Sequence, residues 1–141
     1  MLEEKEIKLL IENAINMLQR SYIPYSNFAV GASLMTKEGK IYNGCNIENS
    51  AYTPSNCAER TAFFKAVSEG ERDFKAIAIV GGPNRVIKDY CAPCGVCRQV
   101  MREFCESKEF KIILAKSTED YKVFSLEELL PLGFGADDLK K

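Results

Sequence analysis

The chain has 141 residues, 46% hydrophobic and 28% charged, with 19 Lys+Arg set against 20 Asp+Glu; this composition fits one soluble globular domain over residues 1–141. It contains six cysteines and no histidine, which excludes Ser-His and Cys-His nucleophilic catalysis, imidazole-ligated metal sites and a histidine general base. A net charge of -1 with scattered Lys and Arg leaves no electrostatic footprint for nucleic acid, and the longest aliphatic run, residues 76–80, is far short of the ~20 residues a membrane span needs.

The N-terminus reads Glu3, Glu4, Lys5, Glu6, where a secretory leader would carry a basic segment and an apolar core, so a reducing, cytoplasmic location is expected. From residue 3 to 20 the apolar Ile7, Ile11, Ala14, Ile15 and Leu18 recur at helical spacing, with acids in the first turn and Arg20 in the last. A turn around Pro24 follows, and residues 28–36 and 40–45 read as a hairpin closed near Glu38-Gly39. Residues 45–56 form a loop dense in hydrogen-bonding side chains: Asn46, Glu48, Asn49, Ser50 and Asn56. A second helix is predicted over 57–69, capped by Ser55 or Asn56 and stopped by Gly70, with Ala58, Ala62, Phe63 and Ala66 facing the core. Residues 75–80 read as a buried strand ended by Gly81-Gly82-Pro83. A third helix over 94–104 turns Val96, Val100 and Phe104 inward, strands follow at 110–115 and 121–124, and Ser125-Leu126-Glu127-Glu128 opens a last short helix that Pro131 ends. Strands alternating with helices predict a layered α/β domain with about five strands.

Cys94 and Cys97 stand three residues apart at a helix start, where free N–H groups and the helix dipole favour the thiolate, the form that binds metal. A C-x-x-C pair alone is shared by zinc sites and redox motifs. What sharpens it is Cys57-Ala58-Glu59, also at a helix start. A ligand-x-Glu followed by Pro-Cys-x-x-Cys is the pattern of zinc deaminases, in the variant where Cys replaces His. Three protein ligands leave one tetrahedral position for a water, whose pKa zinc lowers from 15.7 to roughly 7. Three thiolates on Zn²⁺ leave a formal charge of -1, which Arg60, directly after Glu59, would offset. Glu59 is next to a ligand without needing to be one, so it can carry protons. Rival readings are a closed structural site that adds Cys91 to the three thiols and a redox role for Cys91 and Cys94; neither gives Glu59 a task, although an acid also suits the start of a helix. Cys45 and Cys105 read as core fillers.

The chain resembles the small, homotetrameric cytidine deaminases in five ordered blocks: Tyr25-Ser26-Asn27-Phe28-Ala29-Val30-Gly31-Ala32, Gly44-Cys45-Asn46-Ile47-Glu48-Asn49, Asn56-Cys57-Ala58-Glu59-Arg60-Thr61-Ala62, Pro93-Cys94-Gly95-Val96-Cys97-Arg98-Gln99-Val100 and Leu129-Leu130-Pro131-Leu132-Gly133-Phe134. The resemblance implies a three-layer α/β/α fold with a mixed five-stranded sheet, one Zn²⁺ per subunit on Cys57, Cys94 and Cys97, and Glu59 as proton shuttle. It further implies Arg60 on the ligating sulfurs, Asn46 and Glu48 on the ribose hydroxyls, Phe28 stacked on the pyrimidine and the Ala58 backbone on the base. Tyr52 and Phe134 would reach the site of a neighbouring subunit. For Phe28 the residues alone favour a core aromatic at a strand start. The implied activity is hydrolytic deamination of cytidine and 2′-deoxycytidine, in pyrimidine salvage, on a small nucleoside and not on nucleic acid or at a membrane. Asn46-Ile47-Glu48 favours these nucleosides over cytosine nucleosides of the blasticidin type. A non-catalytic domain with the closed zinc site is the alternative from another class, and Cys91, where the family is not expected to carry a thiol, bears on whether the fourth metal position is open.

Overall fold

A computed structural model describes residues 1–140; Lys141 of the expected 1–141 span lies outside them. Five strands form one sheet: β1 (Phe28–Thr36), β2 (Ile41–Cys45), β3 (Phe74–Pro83), β4 (Lys111–Ser117) and β5 (Asp120–Ser125). Their spatial order is β2-β1-β3-β4-β5, with β3 and β4 parallel and every other neighbouring pair antiparallel. The sheet is therefore mixed, as expected.

The period of two along β3 assigns the layers. Ala76, Ala78 and Val80 turn to one face and pack with Ile7, Leu10, Ile11 and Ala14 of helix α1 (Glu4–Met17). Ile77 and Ile79 turn to the other, with Ala58, Ala62, Phe63 and Ala66 of α2 (Ala58–Ser68) and Cys97 and Met101 of α3 (Gly95–Phe104). One helix on one face and two on the other give the three layers. Two glycines allow the helices to approach this closely: a Cβ on Gly31 of β1 would stand 2.0 Å from the Ala14 carbonyl oxygen of α1, and one on Gly44 of β2 would stand 2.3 Å from that of Ala58 in α2.

Several boundaries differ from the sequence expectation for local physical reasons. The first helix ends at Met17 and tightens into a 3-10 turn, Leu18–Arg20. Its buried side includes Leu10, with Ile15 only partly covered. Strand β3 does not end at Val80 but continues through Gly81-Gly82-Pro83, because β1 pairs with it as far as Phe28↔Pro83. There the following loop folds back so tightly that a Cβ on Gly82 would meet the Val86 carbonyl oxygen at 1.8 Å. In α3 the buried side chains are Cys97 and Met101; Val96 is exposed, and Val100 and Phe104 only flank the core, so the predicted inward face is rotated by about one residue. The capping box at Ser125 opens α4 (Leu126–Leu129) as expected, and α5 (Ala136–Leu139) was not anticipated. Among the described residues no helix is long and apolar enough to cross a membrane.

Gly44→Ala forces α2 away from β2 and is expected to destabilise the fold by about 1–3 kcal/mol in chemical denaturation. Gly95→Ala, whose methyl meets nothing within 4 Å, is the control and is expected to be neutral or slightly stabilising.

Candidate active site

The site lies where the first turns of α2 and α3 meet. Neither helix begins where its sequence suggests. Cys57, rather than Ser55 or Asn56, is the extended N-cap of α2, and the Asn56 amide instead donates to Thr61 Oγ1 at 3.2 Å. Cys94 is likewise the N-cap of α3, and its Sγ accepts from the Cys97 N–H at 3.4 Å. A cap side chain accepts from the third residue of its helix, so the spacing that brings Cys94 and Cys97 together is also capping geometry. A sulfur replaces the usual Ser or Asp oxygen.

Sγ atoms of Cys57, Cys94 and Cys97 all lie within 4.8 Å of one another, and those of Cys57 and Cys94 are 3.7 Å apart. Sulfurs on a tetrahedral zinc at about 2.3 Å would be separated by roughly 3.8 Å, so these residues fit a zinc ion in both chemistry and spacing. Arg60 Nη2 donates to Cys57 Sγ at 3.3 Å. The Cys57 thiol is lowered to about 5, first by a hydrogen bond from Cys97 and then, against the cost of burial, by Arg60 and Cys94; Cys97, as donor in that pair, is raised. Burial opposes the Arg60 charge, but its bonds to the Cys57 and Cys97 sulfurs outweigh that and hold the guanidinium protonated. The proximity of Arg60 to the ligating sulfurs, anticipated on charge grounds, is thus present.

Glu59 is only 4% exposed, and burial raises its carboxyl to about 7, against the pull of its own backbone N–H. It is the one buried carboxylate among the described residues. Cys91 is not part of the thiol group. Its side chain fills the notch at Gly81, where a Cβ would come within 2.9 Å of its Sγ, and burial is the main cause that pushes it up to about 11. The closed four-cysteine arrangement is therefore not the one the fold builds. Cys45 and Cys105 are buried, as expected of core fillers, and burial raises both thiols.

A second cluster surrounds Phe28, which is 40% exposed at the start of β1 and so is not the core aromatic its position alone suggested. Asn46 brackets it: its Oδ1 accepts from the Val30 N–H at 2.9 Å and its Nδ2 donates to the Phe28 carbonyl at 2.8 Å. The Glu48 carboxylate accepts from the Tyr25 and Ser26 N–H groups at 3.0 and 3.1 Å and from the Ser26 hydroxyl. That hydroxyl bond is the main cause holding Glu48 below the usual carboxylate range. Ser26 Oγ in turn accepts from the Phe28 N–H at 3.0 Å. Ala58 is fully buried at the first position of α2, whereas Tyr52 and Phe134 are largely exposed.

Sequence reasoning missed the supports. Ser26 closes the Phe28 cluster, and Arg98 ties the metal loop to the C-terminal segment, donating from Nε to the Pro93 carbonyl at 2.8 Å and from Nη1 to that of Leu129 at 2.7 Å. The only signal in the chain was their place inside two of the matching blocks.

Residues 4–113 match the family model of the cytidine and deoxycytidylate deaminase zinc-binding region. A cytidine deaminase of Sporosarcina psychrophila is 46% identical over 134 residues, covering 95% of each chain. One from Halalkalibacterium halodurans is 46% identical over 132 residues, covering 94% of this chain and 96% of its own. The crystal structure of cytidine deaminase from Burkholderia pseudomallei superposes with a TM-score of 0.81 at 45% identity, over 89% of this chain and 97% of that one. With the three-thiol site built on these helix ends and likeness running along nearly the whole chain, the protein belongs to the zinc-binding cytidine and deoxycytidylate deaminase family.

Proposed function

We propose that the chain hydrolyses cytidine and 2′-deoxycytidine at C4, giving uridine and 2′-deoxyuridine with release of ammonia. The observation that carries this reading is the convergence of three thiols within 4.8 Å beside the buried carboxylate of Glu59. When bound on Cys57, Cys94 and Cys97, zinc supplies the Lewis acidity that makes a water nucleophilic at neutral pH. Glu59 takes a proton from the attacking water and passes it to N3 of the ring, then conveys the second proton to the amine departing from C4. Arg60 balances the excess negative charge of the thiolates.

The residues around Phe28 bind and orient. The Phe28 ring stacks on the pyrimidine, and the bracketing bonds of Asn46 hold the backbone on both sides of it. Asn46 and Glu48 face the ribose hydroxyls, where an amide and an ionised carboxylate together match a hydroxyl's donor and acceptor; the turn at Tyr25-Ser26 presets the carboxylate. The backbone of Ala58, at the start of α2, fixes the base edge.

The active form is a homotetramer whose sites are shared. Support for this comes from Tyr52, 75% exposed with its ring edge-on to Tyr25 beside the Glu48 turn, and from Phe134, 58% exposed on a carbonyl held by α3. Tyr52 and Phe134 complete the pocket of an adjoining copy. Such an enzyme acts in the cytoplasm in pyrimidine salvage.

Purified protein mixed with cytidine is expected to release ammonia, to stop on chelation and to recover with added Zn²⁺; no release from a zinc-loaded sample overturns the reading, as does a marked preference for a blasticidin-type nucleoside. Glu59→Gln is expected to keep its zinc and fold while kcat falls about 10²–10⁴-fold, the range of general acid–base catalysis; near-normal turnover would remove Glu59 from the mechanism. Light scattering is expected to give about 63 kDa, four times the 15.8 kDa chain.

A further inference from the structure

Helix α3 has two working sides. At its N-terminal end Cys94 and Cys97 join the thiol group, and Met101 lies buried one turn below Cys97. The outward side grips the last residue of α4 and the segment after it. Arg98 holds the Leu129 carbonyl. Gln99 donates from Nε2 to the Phe134 carbonyl at 2.8 Å. One turn on, the Arg102 guanidinium covers Gly135, where a Cβ would stand 2.5 Å from Cζ, and Gly135 is itself buried. Between these grips Leu132 is fully exposed with a left-handed backbone, φ 55. The chain thus leaves α3 for a short turn and is recaptured at Phe134 and Gly135.

Phe134 is held at its root and free at its tip. Its carbonyl is tethered and the next residue is buried, yet the residue is 58% exposed. A large apolar ring kept in solvent on a fixed backbone is preorganised for a surface outside its own chain.

We infer that Gln99 is a positioning residue for Phe134, setting the direction in which the ring reaches the nucleoside pocket of an adjoining copy. This rests on the placement of Phe134 at that pocket proposed above. Gln99 touches neither metal nor substrate and acts only through the carbonyl it holds. The same helix that presents two thiols to zinc at its end thereby sets, from its side, the substrate contact made in another subunit.

The test compares Gln99→Met, which keeps length and removes the donor, with Phe134→Ala. Gln99→Met is expected to raise KM for cytidine about fivefold, the order one neutral hydrogen bond supports, with kcat, zinc content and thermal midpoint unchanged. In the Phe134→Ala background it is expected to add nothing, since both changes act on one contact. Gln99→Lys, which restores a donor of similar reach, is expected to return KM toward the parent value. An unchanged KM in Gln99→Met while Phe134→Ala raises it overturns the tether, and so does a loss of zinc on Gln99→Met. An unchanged KM in Phe134→Ala overturns the placement of Phe134 on which the inference rests.

Discussion

Three sulfurs within 4.8 Å of one another are a tolerable arrangement only when protons or a cation hold them together, because adjacent thiolates repel strongly where water is scarce. The fold meets this constraint with partial positive charge from several directions. Cys57 and Cys94 each cap a helix, so the N-terminal ends of two macrodipoles point at the cluster. The Arg60 guanidinium lies against Cys57 at 3.3 Å, three residues along from the cap it neutralises. A divalent ion completes what these groups begin. The absence of histidine makes the compensation necessary, since an imidazole ligand would bring no charge of its own.

Bringing two helix ends to one point requires a rigid base, and the sheet provides it. Gly44 lets α2 settle directly on β2, and the pairing of β1 with β3 out to Phe28↔Pro83 brings the Phe28 cluster and the root of the metal loop to the same end of the sheet. The loop from β3 to α3 is fixed in turn. Arg85, in a left-handed turn with Asn84, donates to carbonyls at the end of the first helical segment, and Tyr90 bonds Asp120 on β5. Cys94 is exposed on this loop, and its position follows from anchors far from it in sequence.

The polar loop residues do two tasks at once. Asn46 and Glu48 satisfy backbone groups around Phe28, and those same bonds fix the direction of the side chains. An amide and a carboxylate held this way lose little further freedom when a ligand arrives, which is the physical content of preorganisation.

The chain by itself determined the elements with strong local signatures. The 3.6-residue period before Arg20, the aliphatic run of β3, the capping box at Ser125 and the Cys57-x-Glu59 and Cys94-x-x-Cys97 spacings depend on neighbours only a few residues away, so they were legible without coordinates. Tertiary structure decided what depends on distant partners. Continuation of β3 through Gly81-Gly82-Pro83 needed β1 beside it; the rotation of α3 that buries Met101 and exposes Val96 needed a core to pack against. Cys91 is the clearest case. Its spacing to Cys94 equals that of Cys94 to Cys97, but only the latter pair is a cap and its third helical residue, whereas Cys91 is turned into the notch at Gly81. Equal intervals in sequence become different directions in space once one of them is wound into a helix and the other is not.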